Sequence, residues 1–117
     1  MAAPNIVNVT TITGKTAVVA VGTSATTVVA NSAASNKVLK INALYVANVD
    51  GTSNAEITID IFRSSTAYRI ANTIVVPADS TLDVITKAIY LEEGDTLRAT
   101  ANAAGDLEVV CSYEEIS

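Results

Sequence analysis

The sequence contains no histidine, no tryptophan and only one cysteine among its 117 residues. Without histidine, the commonest general base and the commonest metal ligand are missing, which excludes Ser-His-Asp and Cys-His catalysis in their usual forms. A single cysteine, Cys111, cannot form a disulfide within the chain, so the fold must depend on its core alone. These absences predict a protein that is not an enzyme and that holds no cofactor and no metal.

Basic residues are also scarce, since seven lysines and arginines stand against twelve acidic residues and give a net charge of −5. Nucleic-acid binding requires clustered Lys and Arg, so we expect no nucleic-acid partner. No apolar run is long enough to span a bilayer, so we expect no membrane partner. The N-terminus lacks the basic start and apolar stretch of a signal peptide, which favours assembly in a reducing cytoplasm.

Aromatic residues are few, with four tyrosines and one phenylalanine. Sugar rings usually stack on aromatic faces, so this scarcity argues against a carbohydrate-binding module. Tyr45, Tyr68, Tyr90 and Tyr113 all fall within predicted strands, either at the edge of the core or on a contact surface. For most of them we favour the core, with the hydroxyl at its rim. Cys111 is interpreted as a small buried hydrophobic residue.

Carboxylates cluster in two places, at Glu92, Glu93 and Asp95 and again at Glu114 and Glu115. Neither cluster has the ligand spacing of an EF-hand, and neither offers two carboxylates facing each other across a cleft. We therefore interpret the first cluster as a solvated turn and the second as a solvated tail.

Half of the residues are hydrophobic, and valine, isoleucine, threonine and alanine dominate the chain. These residues alternate with polar ones in short runs separated by turn signals, which is the period of half-buried strands. The spacing predicts an all-β protein, a single antiparallel β-sandwich that is jelly-roll-like with about eight strands.

Residues 36–62 are predicted to form a central hairpin, with its turn at Asp50, Gly51 and Asn54. In its first half, one face is predicted to collect Leu39, Ile41, Ala43, Tyr45, Ala47 and Val49, while the opposite face is mostly exposed.

The remaining patterns predict local irregularities. Residues 16–21 and 26–30 predict a second hairpin, and Gly14 with Lys15 predicts a turn. A bulge is predicted at Asn72, and a kink near Lys87 and Ala88.

Residues 1–15 are predicted to be an N-terminal arm or an edge strand, and residues 16–117 the β-sandwich domain. Both faces of the first segment carry apolar side chains, so it could pair with a neighbouring molecule. Its candidate partner contacts are Ile6, Val7, Val9 and Ile12.

Three motifs carry a resemblance: the turn VPADSTL at residues 76–82, the turn LEEGDTLR at residues 91–98, and the closing strand that ends in SYEEI. With them the chain resembles small β-sandwich structural proteins of tailed bacteriophages, closest to virion proteins of T4-like cyanophages. The resemblance brings no catalytic residues.

The resemblance implies a virion location, on the capsid surface rather than the tail, after assembly in the host cytoplasm. The implied function is a capsid decoration (cement) protein that binds the major capsid protein and stabilises the head. A tail, neck or baseplate component is the alternative, and a carbohydrate-binding module on the virion is the third. The partners would be the major capsid protein or other virion proteins, and a homo-oligomer such as a trimer would suit a threefold capsid position.

Overall fold

The computed structural model describes residues 8–117, which form nine β-strands and no helix. The strands are β1 (Ile12–Ala20), β2 (Thr26–Ala30), β3 (Val38–Asn48), β4 (Ala55–Arg63), β5 (Thr66–Val76), β6 (Thr81–Asp83), β7 (Ile89–Leu91), β8 (Thr96–Ala101) and β9 (Leu107–Ile116). Because these residues include no helix, none of them forms a helical membrane span.

The strands form two sheets. Sheet I has the order β1-β9-β3-β6, with β7 also paired to β3, and sheet II has the order β2-β8-β4-β5. All the pairs are antiparallel. This order is that of a jelly roll, if β6 and β7 are taken as two segments of one interrupted edge strand. The predicted all-β sandwich is therefore confirmed.

The two predicted hairpins in the first half of the chain are wrong. β3 lies in sheet I and β4 in sheet II, and β1 and β2 are divided between the sheets in the same way. The segment after β3 crosses the sandwich, where the buried Asn48 amide donates to the carbonyls of Ser53 at 3.0 Å and Val76 at 2.9 Å. The alternation of apolar residues shows which face of a strand is buried. It does not show whether the next strand lies beside it in the same sheet or across the core in the other sheet.

The predicted face of β3 is right in its first part and wrong afterwards. Leu39 and Ile41 point into the core, but the pairing with β9 shifts by one residue between Ile41 and Ala43. This bulge moves the side chains beyond it to the other face. The inward side chains are then Leu44, Val46 and Asn48, while Tyr45 and Val49 are exposed.

Gly14 and Lys15 do not form the predicted turn, because both lie within β1 and are paired with β9. The predicted bulge is confirmed: the register of β4 and β5 shifts on either side of Ile59, and Thr73 has a φ of 49°. The chain also bends at Thr86 and Lys87, between β6 and β7, as expected.

The core lies between the two sheets. Its fully buried side chains are mostly aliphatic and come from both sheets, and the largest are Ile41, Leu44, Ile57, Ile59, Leu91, Leu97 and Leu107. The outer faces and the free edges of the two sheets are therefore left for contacts with other molecules.

Candidate interaction surface

The structure describes two of the four predicted contact residues. Ile6 and Val7 lie outside the described residues. Val9 is half-buried and precedes the first strand, while Ile12 is the first residue of β1 and is 55% exposed. Ile12 therefore lies at the edge of sheet I, and a contact role for all four residues stays a prediction.

The edge of sheet I is formed by β1, which pairs with β9 over all nine of its residues without a register shift. Just before it, the backbones of Thr11 and Ser117 exchange two hydrogen bonds of 2.9 Å. In an antiparallel pair such bonded residues alternate with residues whose backbone groups point away from the partner strand. The N–H and C=O groups of Ile12, Gly14, Thr16, Val18 and Ala20 therefore point away from β9. They point to an edge with which no other strand of residues 8–117 pairs, and we call it the free edge.

The other three sheet edges are shorter or irregular. β2 has five residues and a register shift against β8, and β5 has eleven residues but two shifts against β4. The opposite edge of sheet I consists of β6 and β7, with three residues each. Short, bulged or broken edges resist pairing with another chain, so β1 is the described edge best suited to it.

The outer face of sheet I carries a row of apolar side chains, which we call the valine-tyrosine row. Val18 lies opposite Val110, and Val110 lies opposite Tyr45 on the next strand. Their exposed fractions are 72%, 40% and 42%. The row therefore leads across three strands to the free edge.

A second apolar row lies on the same face, nearer the start of β1, and we call it the isoleucine row. Ile12 lies opposite Ile116, which in turn lies opposite Val38. Ile116 and Val38 are buried, whereas Ile12 is exposed. In each row the most exposed side chain is the one on β1, which is Val18 in the valine-tyrosine row and Ile12 in the isoleucine row.

A group of charges lies at the same end of sheet I, on the opposite face from the isoleucine row. The carboxylate of Glu115 accepts hydrogen bonds from the ammonium groups of Lys37 at 2.9 Å and Lys15 at 3.1 Å. These two bonds hold the pKa of Glu115 below its ordinary value, and the bond to Glu115 raises the pKa of Lys15. The only basic residue of β1 is therefore already paired within its own chain.

The outer face of sheet II carries a different row, composed of polar side chains. Thr27, Arg98, Asp60 and Arg69 lie side by side on the four strands. The Arg98 guanidinium donates to both carboxylate oxygens of the buried Asp60, at 2.8 and 3.3 Å, and lies 4.0 Å from the centre of the Phe62 ring. The buried charge on this face, that of Asp60, is therefore paired within the molecule.

The acidic turn before β8 is less solvated than predicted. Asp95 is 1% exposed and receives two hydrogen bonds from Arg63, from Nε at 2.7 Å and from Nη2 at 2.6 Å. Burial raises the pKa of Asp95, but the bonds from Arg63 and from the backbone of Glu92 outweigh it, so the pKa lies below its ordinary value. This carboxylate holds the ends of β4 and β8 together. Among residues 8–117 no group of acidic or sulfur ligands could hold a metal ion.

Cys111 is fully buried, as predicted, and burial raises the pKa of its thiol to about 11. The thiol is therefore protonated and inaccessible at neutral pH.

The core role favoured for most of the tyrosines is wrong for three of the four. Tyr45, Tyr68 and Tyr90 are between 42% and 59% exposed, and only Tyr113 packs against the core. The bulge in β3 explains Tyr45, since it turns this side chain outward. Tyr68 lies on β5, the edge strand of sheet II, which is paired with β4 on one side.

The valine-tyrosine row was not predicted, because its members come from three strands that are distant in the sequence. One local signal was present: Val110 is an apolar residue between Glu108 and Ser112 on the outer side of β9, which also carries Glu114 and Ile116. A single apolar residue on a polar face can be interpreted as part of a contact surface only when the residues beside it on neighbouring strands are known.

No protein-family model matches the chain, and no curated protein matches it. A solved structure described under "Bacillus endospore appendages form a novel family of disulfide-linked pili" is similar over 92% of this chain and 88% of its own. Its TM-score is 0.53 and its sequence identity is 19%. At this identity the similarity concerns the fold.

Two structures of a pentameric capsid protein isolated from metagenomic phage sequences are similar over 86% of this chain. Their TM-scores are 0.44 and 0.45, with 20% and 21% identity. The matched part spans 60% and 62% of the length of those capsid proteins.

Proposed function

We propose that this chain is a structural protein of a tailed-phage virion, and specifically a decoration protein that binds the major capsid protein and stabilises the head. The sequence motifs of residues 76–82 and 91–98 support the virion assignment by their resemblance to such proteins. The observation that carries the proposal from the structure is the β1 edge, with two apolar rows of sheet I ending at it.

A free, regular edge strand offers backbone donors and acceptors to a strand of another protein, which is a common mode of recognition. The exposed side chains of Ile12 and Val18 flank these backbone groups and add apolar area. A single contact through one edge strand and two apolar side chains is weak, but a particle presents many copies of the partner at fixed spacing. Strength then comes from the number of contacts, as a decoration protein requires.

We place the capsid contact on the N-terminal segment, with Ile6, Val7, Val9 and Ile12 as its apolar residues. A variant that lacks residues 1–9 keeps the hydrogen bonds that Thr10 and Thr11 make with Ser117, so β1 should stay paired. We expect this variant to remain folded by circular dichroism and to occupy fewer sites on particles. Ile12→Ser in the full chain should act in the same direction, with Thr13→Ser as its matched control. Unchanged occupancy of both would contradict this assignment.

The function is tested by immunogold labelling of purified virions, with the number of copies counted per particle. Dense labelling over the heads is the expected result. Labelling confined to the tail, neck or baseplate would overturn the decoration role, and unlabelled particles would overturn the virion role. Shell proteins are present in far more copies than neck or baseplate proteins, so the count distinguishes these locations, and the position of the label identifies the tail.

A further inference from the structure

We propose that two copies of this chain pair through β1, antiparallel and about a twofold axis beside Lys15, so that sheet I continues from one copy into the other. This inference goes beyond the proposed function, since it names a second copy as the partner of the β1 edge in a solution of the free chain. A capsid strand that binds the same edge would replace this second copy. Two features of β1 support this pairing, its backbone groups and its neighbours on the outer face, and the charge of its lysine weakens it.

The backbone of β1 is matched best by β1 itself. An edge of nine residues without a register shift can align fully only with another edge that is equally long and regular. The remaining described edges are the five-residue β2, the bulged β5 and the three-residue segments β6 and β7. A twofold axis brings identical edges together, and such self-complementary pairing is the commonest arrangement of protein dimers.

The two apolar rows select the register. With Ile12 opposite Val18 of the partner subunit, the valine-tyrosine row of one copy meets the isoleucine row of the other. Each combined row then runs over six apolar side chains, from Tyr45, Val110 and Val18 to Ile12, Ile116 and Val38 of the partner subunit. The twofold axis repeats this row a second time. Ile12 and Val18, exposed by 55% and 72% in the single chain, are thereby paired with each other.

The same register also pairs the backbone N–H and C=O groups of the two β1 strands. Ile12 and Val18 both direct their N–H and C=O groups to the free edge, as does the intervening pair of Gly14 and Thr16. Residues that exchange hydrogen bonds across an antiparallel pair must both point to the partner strand, so this alignment is allowed. Gly14 has nothing within 4 Å of the position of a Cβ, which leaves room for the Thr16 side chain of the partner subunit.

The positive charge of Lys15 weakens this pairing. In this register Lys15 lies opposite Lys15 of the partner subunit, and like charges directly opposite each other destabilise a sheet. Each ammonium is held by its own Glu115 at 3.1 Å, which partly offsets the repulsion. We therefore expect a weak dimer whose association strengthens when salt screens the two lysines.

Sedimentation velocity of the purified chain tests the dimer, over a range from about 10 µM to about 1 mM because an interface of this size is weak. We expect a shift from monomer to dimer as the concentration rises. Thr16→Pro removes an N–H that points to the free edge and none that bonds β9, so the variant should fold and stay monomeric. Thr16→Val keeps the N–H and is the matched control, which should still form dimers.

Cysteine cross-linking tests the register and does not depend on the proline variant. Lys15→Cys places two thiols opposite each other at the twofold axis, where the closely spaced, non-hydrogen-bonded residues of an antiparallel pair suit a disulfide. Under mild oxidation this variant should form a covalent dimer at least about tenfold faster than Thr13→Cys, whose partner position is Ala17. The native Cys111 is buried and does not compete.

Three results would overturn the proposal: a monomer at every concentration, a trimer, or cross-linking of Thr13→Cys as fast as that of Lys15→Cys. All of these assays use the purified chain alone. If these assays show no dimer, the proposed decoration role is not contradicted. Unlabelled virions, in turn, would not contradict the dimer.

Discussion

The outer faces of the two sheets are each crossed by a row of side chains near their middle, and the two rows are opposite in character. On sheet II, Arg98 and Asp60 are paired with each other and Arg98 lies over the Phe62 ring. On sheet I, Val18 and Val110 are exposed by 72% and 40% and lie opposite each other, and the first charged residue of their row is Asp83 on β6, beyond Tyr45. The buried carboxylate of the first row is paired within its own chain, whereas the second row exposes apolar area to solvent.

This difference indicates which face stabilises the fold and which face is available for binding. A buried carboxylate needs a partner within the folded chain, so the ion pair on sheet II contributes to the stability of the single chain. Exposed apolar side chains contribute little to the single chain, but they gain when another surface covers them. Substitutions on sheet II should therefore change stability, and substitutions on sheet I should change association.

The largest effect is expected for Arg98→Met on sheet II. Asp60 is only 3% exposed, so removal of the guanidinium leaves a buried carboxylate without its cation. Breaking such a pair costs about 3 kcal/mol in the free energy of unfolding. Urea denaturation at neutral pH measures this loss, and sedimentation of the folded variant should show unchanged association.

The control for this prediction removes both charges. Asp60→Leu combined with Arg98→Met leaves no buried charge, so it should recover most of the stability that the single substitution loses. If the double variant were as unstable as Arg98→Met, the lost stability would come from the packing of Arg98 on Phe62 and not from the ion pair.

The next effect is the dependence of stability on pH. The pKa of Asp95, at the start of β8, and that of Glu115, on β9, both lie below the ordinary values of 3.8 and 4.5. A lowered pKa in the folded state contributes stability that is complete above the unfolded value and is lost as the pH falls through the folded value. The urea midpoint should therefore fall below about pH 4.5 as these groups take up protons.

Two substitutions separate these carboxylates. Asp95→Asn should flatten the acid limb of the stability curve more than Glu115→Gln, since Asp95 is buried against Arg63 while Glu115 is only partly covered. Both variants should be less stable than the parent chain at neutral pH, where the paired carboxylates are ionised. An acid limb that stays steep in Asp95→Asn would assign the acid sensitivity to other carboxylates.

The positions of most strands could be predicted from the sequence because alternation is a local property, but β1 includes Gly14 and Lys15, where a turn is predicted. Leu107, Val109 and Cys111 are inward on β9 as their spacing indicates. The partners of the strands could not be predicted in the same way. β3 and β4 bury the same apolar faces whether they lie side by side or across the core, and the structure places them across it.

Two features of the surface escaped sequence reasoning for related reasons. A single extra residue at Asn42 reverses the direction of every side chain beyond it, and no sequence signal marks that position. The Asp95 carboxylate lies in a stretch that has the composition of an exposed turn, and its partner Arg63 is 32 residues away. Ile12, a predicted contact residue, lies on the free edge of sheet I, so the predicted contact concerns a defined strand, β1.

The smallest change in stability is expected for Val18→Thr, in the exposed row of sheet I. Threonine has nearly the same shape and an equal preference for strands, so the free energy of unfolding should change by less than about 0.5 kcal/mol. The matched control is Val109→Thr, whose side chain is fully buried on the opposite face of the same sheet, where an unpaired hydroxyl costs about 2 kcal/mol. Urea denaturation compares the two variants, and sedimentation should show weaker association for Val18→Thr. Equal losses of stability in both would mean that Val18 supports the single fold, and the apolar row would then no longer mark sheet I as the binding face.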